Sequence, residues 1–322
     1  MKKIIILLLI ASPCFLFSQM VVVLNHNGNS SLFSTPQPFV DAYDASVDGD
    51  TIYLPGGPFQ PPAGIDKRLT IIGAGHYPDS TTATGVTTIS GSINLLSNAD
   101  RTVLQGLNIT GNVIFQHNSR IDSVIIYRCY AGSVAFNGDF DLAHNCRNVL
   151  LYQNAISTLY INHSSDIRIF NNIINALIGI ASDAWIRNNK IGVLSGISYS
   201  LIENNMFESL GPGQFNTFRN SVFPLALPAD DNTWINNYPS QPYAALFVNS
   251  TVWFSYTDNY HLQNPGSFPG TDALQAGIYG GYYPYKGGAV PSNVHIQSKT
   301  IPLQPDVNGQ LNIQVKVAAQ NN

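Results

Sequence analysis

Charged residues are scarce in this sequence of 322 residues. Only 11% of the residues are Asp, Glu, Lys or Arg, less than half of the ~25% that is typical of soluble domains. With 15 basic and 19 acidic residues the net charge is −4, and the pI is 5.9. This composition argues against a charge-driven disordered chain and against a nucleic-acid partner.

Cysteine is rare, and long apolar runs are missing after the N-terminus. Residues 1–18 combine a basic start with a short apolar stretch, which is typical of an export signal. Since no later stretch is apolar over the ~20 residues that a membrane span needs, we expect a secreted protein, periplasmic or extracellular. Removal of the signal would leave Cys129 and Cys146, which we expect to be separate buried thiols, with a disulfide as the alternative.

Asparagine is abundant, together with 26 Gly and 19 Pro, and this composition favours strands and turns over helices. A unit of the form apolar–variable–Asn–Asn or Ser recurs at spacings of 17, 16, 16 and 16 residues. These units end at Asn172, Asn189, Asn205, Ser221 and Asn237. Looser copies precede them. A period of this length without helical spacing predicts short strands that stack coil upon coil.

The apolar first position of the unit carries no polar residue in eight copies. It is occupied by Val103, Ile126, Leu151, Ile169, Ile186, Ile202, Phe218 and Trp234. We interpret this column as the interior of an all-β, right-handed parallel β-helix with strands ~4.8 Å apart. At the fourth position, Asn side chains predict a structural ladder in which each tolerates the turn and bonds its equivalent on the next coil. The ladder comprises Asn154, Asn172, Asn189, Asn205 and Asn237.

Several segments resemble the pectin-lyase-like superfamily of right-handed β-helices. The Asn-Asn units look like its coils, residues 39–54 (FVDAYDASVDGDTIYL) resemble its opening segment, and residues 68–75 (RLTIIGAG) resemble its first coil. Residues 260–263 and 276–281 are similar to the closing signature of secreted bacterial β-helix proteins. The resemblance implies the fold and export, but it specifies no activity, because this scaffold hosts lyases, hydrolases and adhesins.

The sequence predicts four parts. They are the signal over residues 1–18, an N-terminal lead and cap over 19–67, the coils over 68–240, and a C-terminal cap with a terminal strand or hairpin over 241–322. Within the lead, residues 39–46 are expected to form a capping helix that turns Phe39, Ala42, Tyr43 and Val47 towards the core.

Catalytic residues receive little support from the sequence. The resemblance raises the question of a lyase site, in which clustered carboxylates hold Ca²⁺ beside a basic residue. Asp166 and Asp183 are expected to stack ~5 Å apart on adjacent coils with Arg187 nearby, or else to be turn formers that lead into a strand. At the same position the other coils carry Asp100, Ser123, Asn148, Tyr199, Phe215 and Asp231.

Two aligned acids fall short of the ~6 oxygens that Ca²⁺ prefers. We therefore predict no metal and no other cofactor, with calcium as the open alternative. Asp230 and Asp231 form a further acidic pair. A polysaccharide lyase or glycoside hydrolase stays as the alternative function.

A binding surface is the leading expectation from the sequence. The residue after the interior column faces outwards. These outward residues include Tyr127, Tyr152, Phe170, Arg187, Glu203 and Arg219, with Trp185 on the same face. Aromatic rows suit sugar rings, and guanidinium groups suit carboxylates or hydroxyls.

The row has a structural alternative as well, because it could stabilise the sheet or be covered by the C-terminal segment or a partner chain. The sequence thus predicts a secreted, non-catalytic protein that binds extracellular polysaccharide or a surface partner. A structural envelope component is the second alternative.

Overall fold

A computed structural model describes residues 20–117, 119–137, 146–180, 183–251, 253–292 and 294–319. The predicted export signal lies outside these residues. They form an all-β, parallel solenoid of about nine turns, as the sequence predicts. Within the described part of the chain, no helix is both long enough and apolar enough to cross a membrane.

The described residues contain one helix, α1 (Pro38–Ala45), and a series of mostly short strands. In chain order the strands are β1 (Val22–His26), β2 (Asn29–Phe33), β3 (Thr51–Tyr53), β4 (Gly57–Phe59), β5 (Thr70–Ile72), β6 (Thr87–Ile89), β7 (Ile93–Leu95), β8 (Val103–Gln105), β9 (Asn108–Phe115), β10 (Ile125–Tyr127), β11 (Tyr130–Asn137), β12 (Leu150–Tyr152), β13 (Ala155–Asn162), β14 (Ile167–Phe170), β15 (Ile173–Ile178), β16 (Ala184–Arg187), β17 (Lys190–Ser195), β18 (Leu201–Glu203), β19 (Met206–Leu210), β20 (Thr217–Arg219), β21 (Thr233–Ile235), β22 (Phe247–Asn249), β23 (Asn259–Leu262), β24 (His295–Thr300) and β25 (Gln314–Ala318). Short 3₁₀ turns lie at Pro78–Ser80, Tyr243–Ala245 and Pro265–Ser267.

Two long sheets make up the walls of the solenoid. The first sheet has the order β2-β1-β3-β5-β8-β10-β12-β14-β16-β18-β20-β21, and the second has the order β19-β17-β15-β13-β11-β9-β6-β4, with β7 paired to β9. Strands β3 to β21 of the first sheet pair in parallel, whereas β1 pairs antiparallel with both β2 and β3. The remaining strands form two antiparallel pairs, β22 with β23 and β24 with β25.

The predicted interior column is confirmed. Ile169, Ile186 and Ile202 pair in register across β14, β16 and β18, and all three are fully buried. A continuous file of apolar side chains therefore runs along the axis, and burial of such side chains is the main source of stability in a fold of this kind.

One coil departs from the predicted register. Leu104, not Val103, pairs with Ile126, so Leu104 lies in the interior and Val103 faces outwards. Gln105 accordingly takes the place that the prediction gave to Leu104 in the outward row. The sequence has apolar residues at both positions of this coil, so its pattern could not decide which one points inwards.

From β8 to β20, each strand of the first sheet lies between two left-handed corners. The leading corner precedes the strand, at Arg101, Ser123, Asn148, Asp166, Asp183, Tyr199 and Phe215. The trailing corner follows it, at Gly106, Arg128, Gln153, Asn171, Asn188, Asn204, Asn220 and Asn236. Asn tolerates positive φ better than most residues. The first Asn of each Asn-Asn unit, rather than the second, therefore makes the turn.

The second Asn of each unit forms the ladder. Oδ1 of Asn172 accepts hydrogen bonds from the backbone N and Nδ2 of Asn154 at 2.9 and 3.0 Å. Asn189 and Asn205 repeat the pattern, and Asn237 ends it by accepting a bond from the backbone of Ser221. The ladder thus supplies hydrogen-bond acceptors to the buried backbone N–H groups at the corner, and buried polar groups need such partners.

The two ends of the interior differ. At the N-terminal end α1 buries Phe39, Ala42 and Tyr43, whereas Val47 is 49% exposed because the helix ends at Ala45 and the chain turns away. At the other end, aromatic rings stack in the interior, and Trp234 is the last of them.

The C-terminal segment lies along the side of the solenoid. Residues 268–292, which we call the strap, follow the trailing corner back from the last coils towards the first. Asn220 donates to the carbonyl of Pro269 at 3.1 Å near one end, and Arg128 donates to that of Val290 at 2.8 Å near the other. The expected terminal hairpin is present as β24 and β25.

Candidate functional site

The strap packs on the aromatic part of the predicted binding row. Tyr127 and Tyr152 stack on each other with centroids 4.6 Å apart and planes at 11°. Tyr283 of the strap lies 5.0 Å from Tyr152 and stacks on Phe170 at 5.9 Å. Phe170 is 8% exposed. The rings thus pack against one another and against the strap, which is the structural alternative for this row, coverage by the C-terminal segment.

The charged part of the row is engaged in internal pairs. Arg187 is 9% exposed and forms an ion pair of 3.0 Å with Asp272 of the strap. Glu203 is 6% exposed, accepts a 3.0 Å hydrogen bond from Nε1 of Trp185, and lies 3.6 Å from the guanidinium of Arg219. Polysaccharide binding by this row stays a prediction; Arg219 is exposed, whereas Tyr127, Tyr152 and Trp185 are half-buried.

The weak catalytic candidates do not converge. Asp166 and Asp183 occupy equivalent leading-corner positions with φ of 52° and 60°, as turn formers do. Asp166 pairs with Arg168 at 3.2 Å. Arg187 lies at the far end of β16 from Asp183, ~13 Å along the strand, and is held by the strap. Among the described residues, no group of three or more His, Cys, Asp or Glu is arranged to hold a metal.

Cys129 and Cys146 are free and buried. Burial raises the pKa of the Cys129 thiol to about 12 and that of Cys146 to about 11. Both side chains therefore stay protonated and unreactive at neutral pH, in line with the expected separate thiols.

A second group of aromatic residues is exposed at the other end of these strands, at the leading corner of the first sheet. Tyr199 and Phe215 occupy the leading corner on adjacent coils, and their rings stack at 5.0 Å with planes at 23°. Their exposed fractions are 62% and 48%. Together with Trp185 they border a groove of about 470 Å³ that we call the open-flank groove. It is lined by Asp183, Ala184, Trp185, Tyr199, Ser200, Leu201, Phe215 and Thr217.

The groove follows from the geometry of consecutive coils. Trp185 and Leu201 are register partners on neighbouring strands, and each lies two residues after a leading-corner residue. Asp183, Tyr199 and Phe215 therefore line the groove from the corner, and Trp185, Leu201 and Thr217 line it from the strands.

Trp185 is held in place from its covered side. Its ring meets Phe170 edge to face at 5.1 Å, and its Nε1 donates to Glu203 at 3.0 Å. Asp183 is the one charged residue among the described residues that line the groove. The groove thus combines a fixed indole, an apolar floor and hydrogen-bonding groups with a single carboxylate, which suits an uncharged, hydroxyl-rich ligand better than an anion.

Tyr199 and Phe215 share the sequence column of Asp166 and Asp183, but the repeat pattern predicts no role for them. The available signal was the residue type, because polar residues fill this corner on the preceding coils, and two bulky aromatics interrupt the pattern.

Family membership gives no independent guide to this groove. Comparisons of the chain with protein-family models, with curated proteins and with solved structures yield no significant match.

Proposed function

We propose that this protein is an exported, non-catalytic β-solenoid that binds extracellular polysaccharide through the open-flank groove. A single observation carries the proposal: Tyr199 and Phe215 are large aromatic residues in a left-handed backbone, with φ of 53° and 59°, and their rings face solvent. Membership of the pectin-lyase-like superfamily and a bacterial, secreted origin form part of the proposal. They are supported by the sequence motifs described above.

The backbone of Tyr199 and Phe215 is unfavourable for their residue type. A left-handed conformation costs an ordinary L-residue roughly 1–2 kcal/mol, and Asn or Asp less. Buried packing usually offsets such a cost, but these rings are about half exposed. Strain without compensating burial is found most often at functional sites. The stacked pair is therefore better explained by a ligand than by the fold.

The chemistry of the groove matches that of a sugar. A pyranose ring has an apolar C–H face and a rim of hydroxyls. Trp185, Tyr199 and Leu201 supply apolar and aromatic surface, whereas Asp183 and Thr217 supply hydrogen-bonding oxygens. Adjacent coils repeat every ~4.8 Å, so the groove extends along the axis and suits a chain of sugars rather than a compact ligand.

The proposal is tested by affinity electrophoresis in gels that contain neutral or acidic polysaccharides. We expect at least one neutral polysaccharide to retard the native protein. The double variant Tyr199→Asn with Phe215→Asn should lose most of this retardation, because each lost aromatic contact costs about 0.5–1.5 kcal/mol, and about 1.4 kcal/mol is tenfold in affinity.

Tyr160→Asn is the matched control, since Tyr160 is an exposed tyrosine, 38% accessible, on strand β13 of the second sheet. It should leave retardation unchanged. Equal retardation of the native protein and the double variant would refute the groove. Release of unsaturated or reducing-end products from the polysaccharide would refute the non-catalytic part of the proposal.

A further inference from the structure

The C-terminal end of the solenoid contains a second concavity, separate from the open-flank groove. Strands β20 and β21 extend the first sheet, but the second sheet ends at β19. The interior therefore opens between the walls into a cavity of about 540 Å³, which we call the end pocket. Its lining includes Leu194, Phe218, Asp230, Asp231, Asn232 and Trp234.

Trp234 lines this pocket and is half-buried. One face of its indole stacks on Phe218, with centroids 4.4 Å apart and planes at 10°. Phe223 meets Trp234 at 80°, near the edge of the ring. Among the described residues no ring packs on the opposite face, because Trp234 is the last member of the interior column. Nε1 donates to Asp230 at 3.2 Å, which fixes the orientation of the indole.

The charge of the end pocket has one sign. Asp230 and Asp231 line it, and no Lys, Arg or His does so in the part of the chain that the structure describes. Oδ2 of Asp230 accepts a 2.8 Å hydrogen bond from Asn232, whereas the exposed carboxylate of Asp231 has no partner in the described part of the chain. The floor is apolar, with Leu194 buried beneath it.

We propose that the end pocket binds a compact organic cation, a protonated primary amine on a ring-sized body such as an amino sugar. An indole face attracts a cation more strongly than other aromatic faces do. A neighbouring carboxylate adds a charge-assisted hydrogen bond to an ammonium group. The two carboxylates repel an anionic ligand, and the apolar floor suits the body that carries the amine. This site does not depend on the open-flank groove or on its ligand.

The test uses the three tryptophans of the chain. In a protein with ¹⁵N-labelled indoles, the Nε1–H resonance of Trp234 is assigned by its loss in Trp234→Phe, and probes are titrated to millimolar concentration. We expect glucosamine to shift the Trp234 resonance and N-acetylglucosamine, which lacks the charge, to bind at least about tenfold more weakly. Asp231→Asn should weaken the binding of glucosamine to a similar extent.

Two further arms make the outcome decisive. If cyclohexylamine binds as tightly as glucosamine, the ammonium group suffices. If cyclohexylamine binds more weakly, the sugar hydroxyls contribute as well. Either result supports the site. Equal shifts by glucosamine and N-acetylglucosamine, or no shift at Trp234, would overturn it. Asp183→Asn, the same change in the open-flank groove, should leave the Trp234 response intact. The proposed function is tested separately, by retardation of the protein in gels that contain polysaccharide.

Discussion

The first sheet has a trailing side, next to the trailing corner, and a leading side, next to the leading corner. Aromatic residues are covered on the trailing side and exposed on the leading side. On the trailing side, Tyr127 and Tyr152 stack along the axis and the strap packs over them. On the leading side, Tyr199 and Phe215 stack in the same manner, yet solvent reaches both rings. A column of aromatic residues on a solenoid therefore does not by itself indicate a ligand. Burial by the chain's own segments decides which column serves the fold.

The trailing corner explains how the strap is held. Side chains there donate hydrogen bonds to backbone carbonyls of the strap. Examples are Gln153 to Pro284 at 2.8 Å, Asn171 to Gly280 at 2.6 Å and Asn188 to Gly277 at 3.1 Å. Each such hydrogen bond makes a net contribution of about 1 kcal/mol to stability. A series of such bonds, together with the packed rings, fixes the strap to the solenoid, and nothing comparable covers the leading side in the described residues.

The largest effect is expected where the C-terminal segment buries a charge. Nζ of Lys190 is fully buried, lies 2.5 Å from Oε1 of Glu208, and is 5.5 Å from the ring centre of Tyr243. Burial lowers the pKa of Lys190, and Glu208 opposes this shift. Lys190→Met should reduce the free energy of unfolding by about 3 kcal/mol, because Glu208 would keep a largely buried charge without its partner. Urea titration measures the change.

The control for this variant replaces both charges. Lys190→Met combined with Glu208→Met should lose clearly less stability than Lys190→Met alone, since no unpaired charge remains. A double variant as unstable as the single one would show that packing of the lysine stem, and not the ion pair, holds the covered side together.

The second effect concerns the covered aromatic column. Tyr152→Ala removes the contacts with Tyr127 and Tyr283 and should cost about 2–3 kcal/mol. Amide hydrogen exchange in the strap, residues 268–292, should rise with it. Tyr160→Ala, on an exposed part of the second sheet, should change stability by less than about 0.5 kcal/mol. Unchanged exchange in the strap of Tyr152→Ala would mean that the hydrogen bonds alone secure it.

The third effect depends on pH and also belongs to the covered side. His76 is 1% exposed and packs against Tyr77, Phe254 and Tyr256, and its Nε2 has no hydrogen-bond partner among the described residues. Burial lowers its pKa from 6.5 to about 3. Between these values the unfolded chain binds a proton that the folded chain does not, so stability falls as the pH falls. The loss from this group reaches about 2 kcal/mol at a pH of about 5.

His76→Phe isolates this contribution from that of the carboxylates. The variant keeps a ring in the cluster but cannot take up a proton. Between about pH 6.5 and 5, the free energy of unfolding of His76→Phe should therefore decline by ~2 kcal/mol less than that of the native protein. Parallel pH profiles for the two proteins would contradict the assignment.

The sequence could specify the coils because their contacts repeat. An apolar residue every 16 or 17 positions marked Ile169, Ile186 and Ile202 as the interior. The path of the strap could not be traced in this way, because side chains at the trailing corner bind its backbone carbonyls, and such contacts leave no periodic pattern in the strap. The open-flank groove was hidden for a different reason. Tyr199 was visible in its column, but its meaning depends on a backbone angle and an exposure that the repeat does not encode.

The smallest expected effect on stability is also the sharpest test of the open side. Tyr199→Asn exchanges a ring contact worth about 0.5–1.5 kcal/mol for a residue that suits the left-handed corner, so stability should stay within about 0.5 kcal/mol of the native value. Tyr199→Ala loses the ring without that benefit and should be less stable than Tyr199→Asn. At Tyr160, which lies in a regular strand, Asn should bring no such advantage over Ala, because strands disfavour Asn. A loss above about 1.5 kcal/mol in Tyr199→Asn would show that the exposed ring supports the fold after all, and the two sides of the sheet would no longer differ in kind.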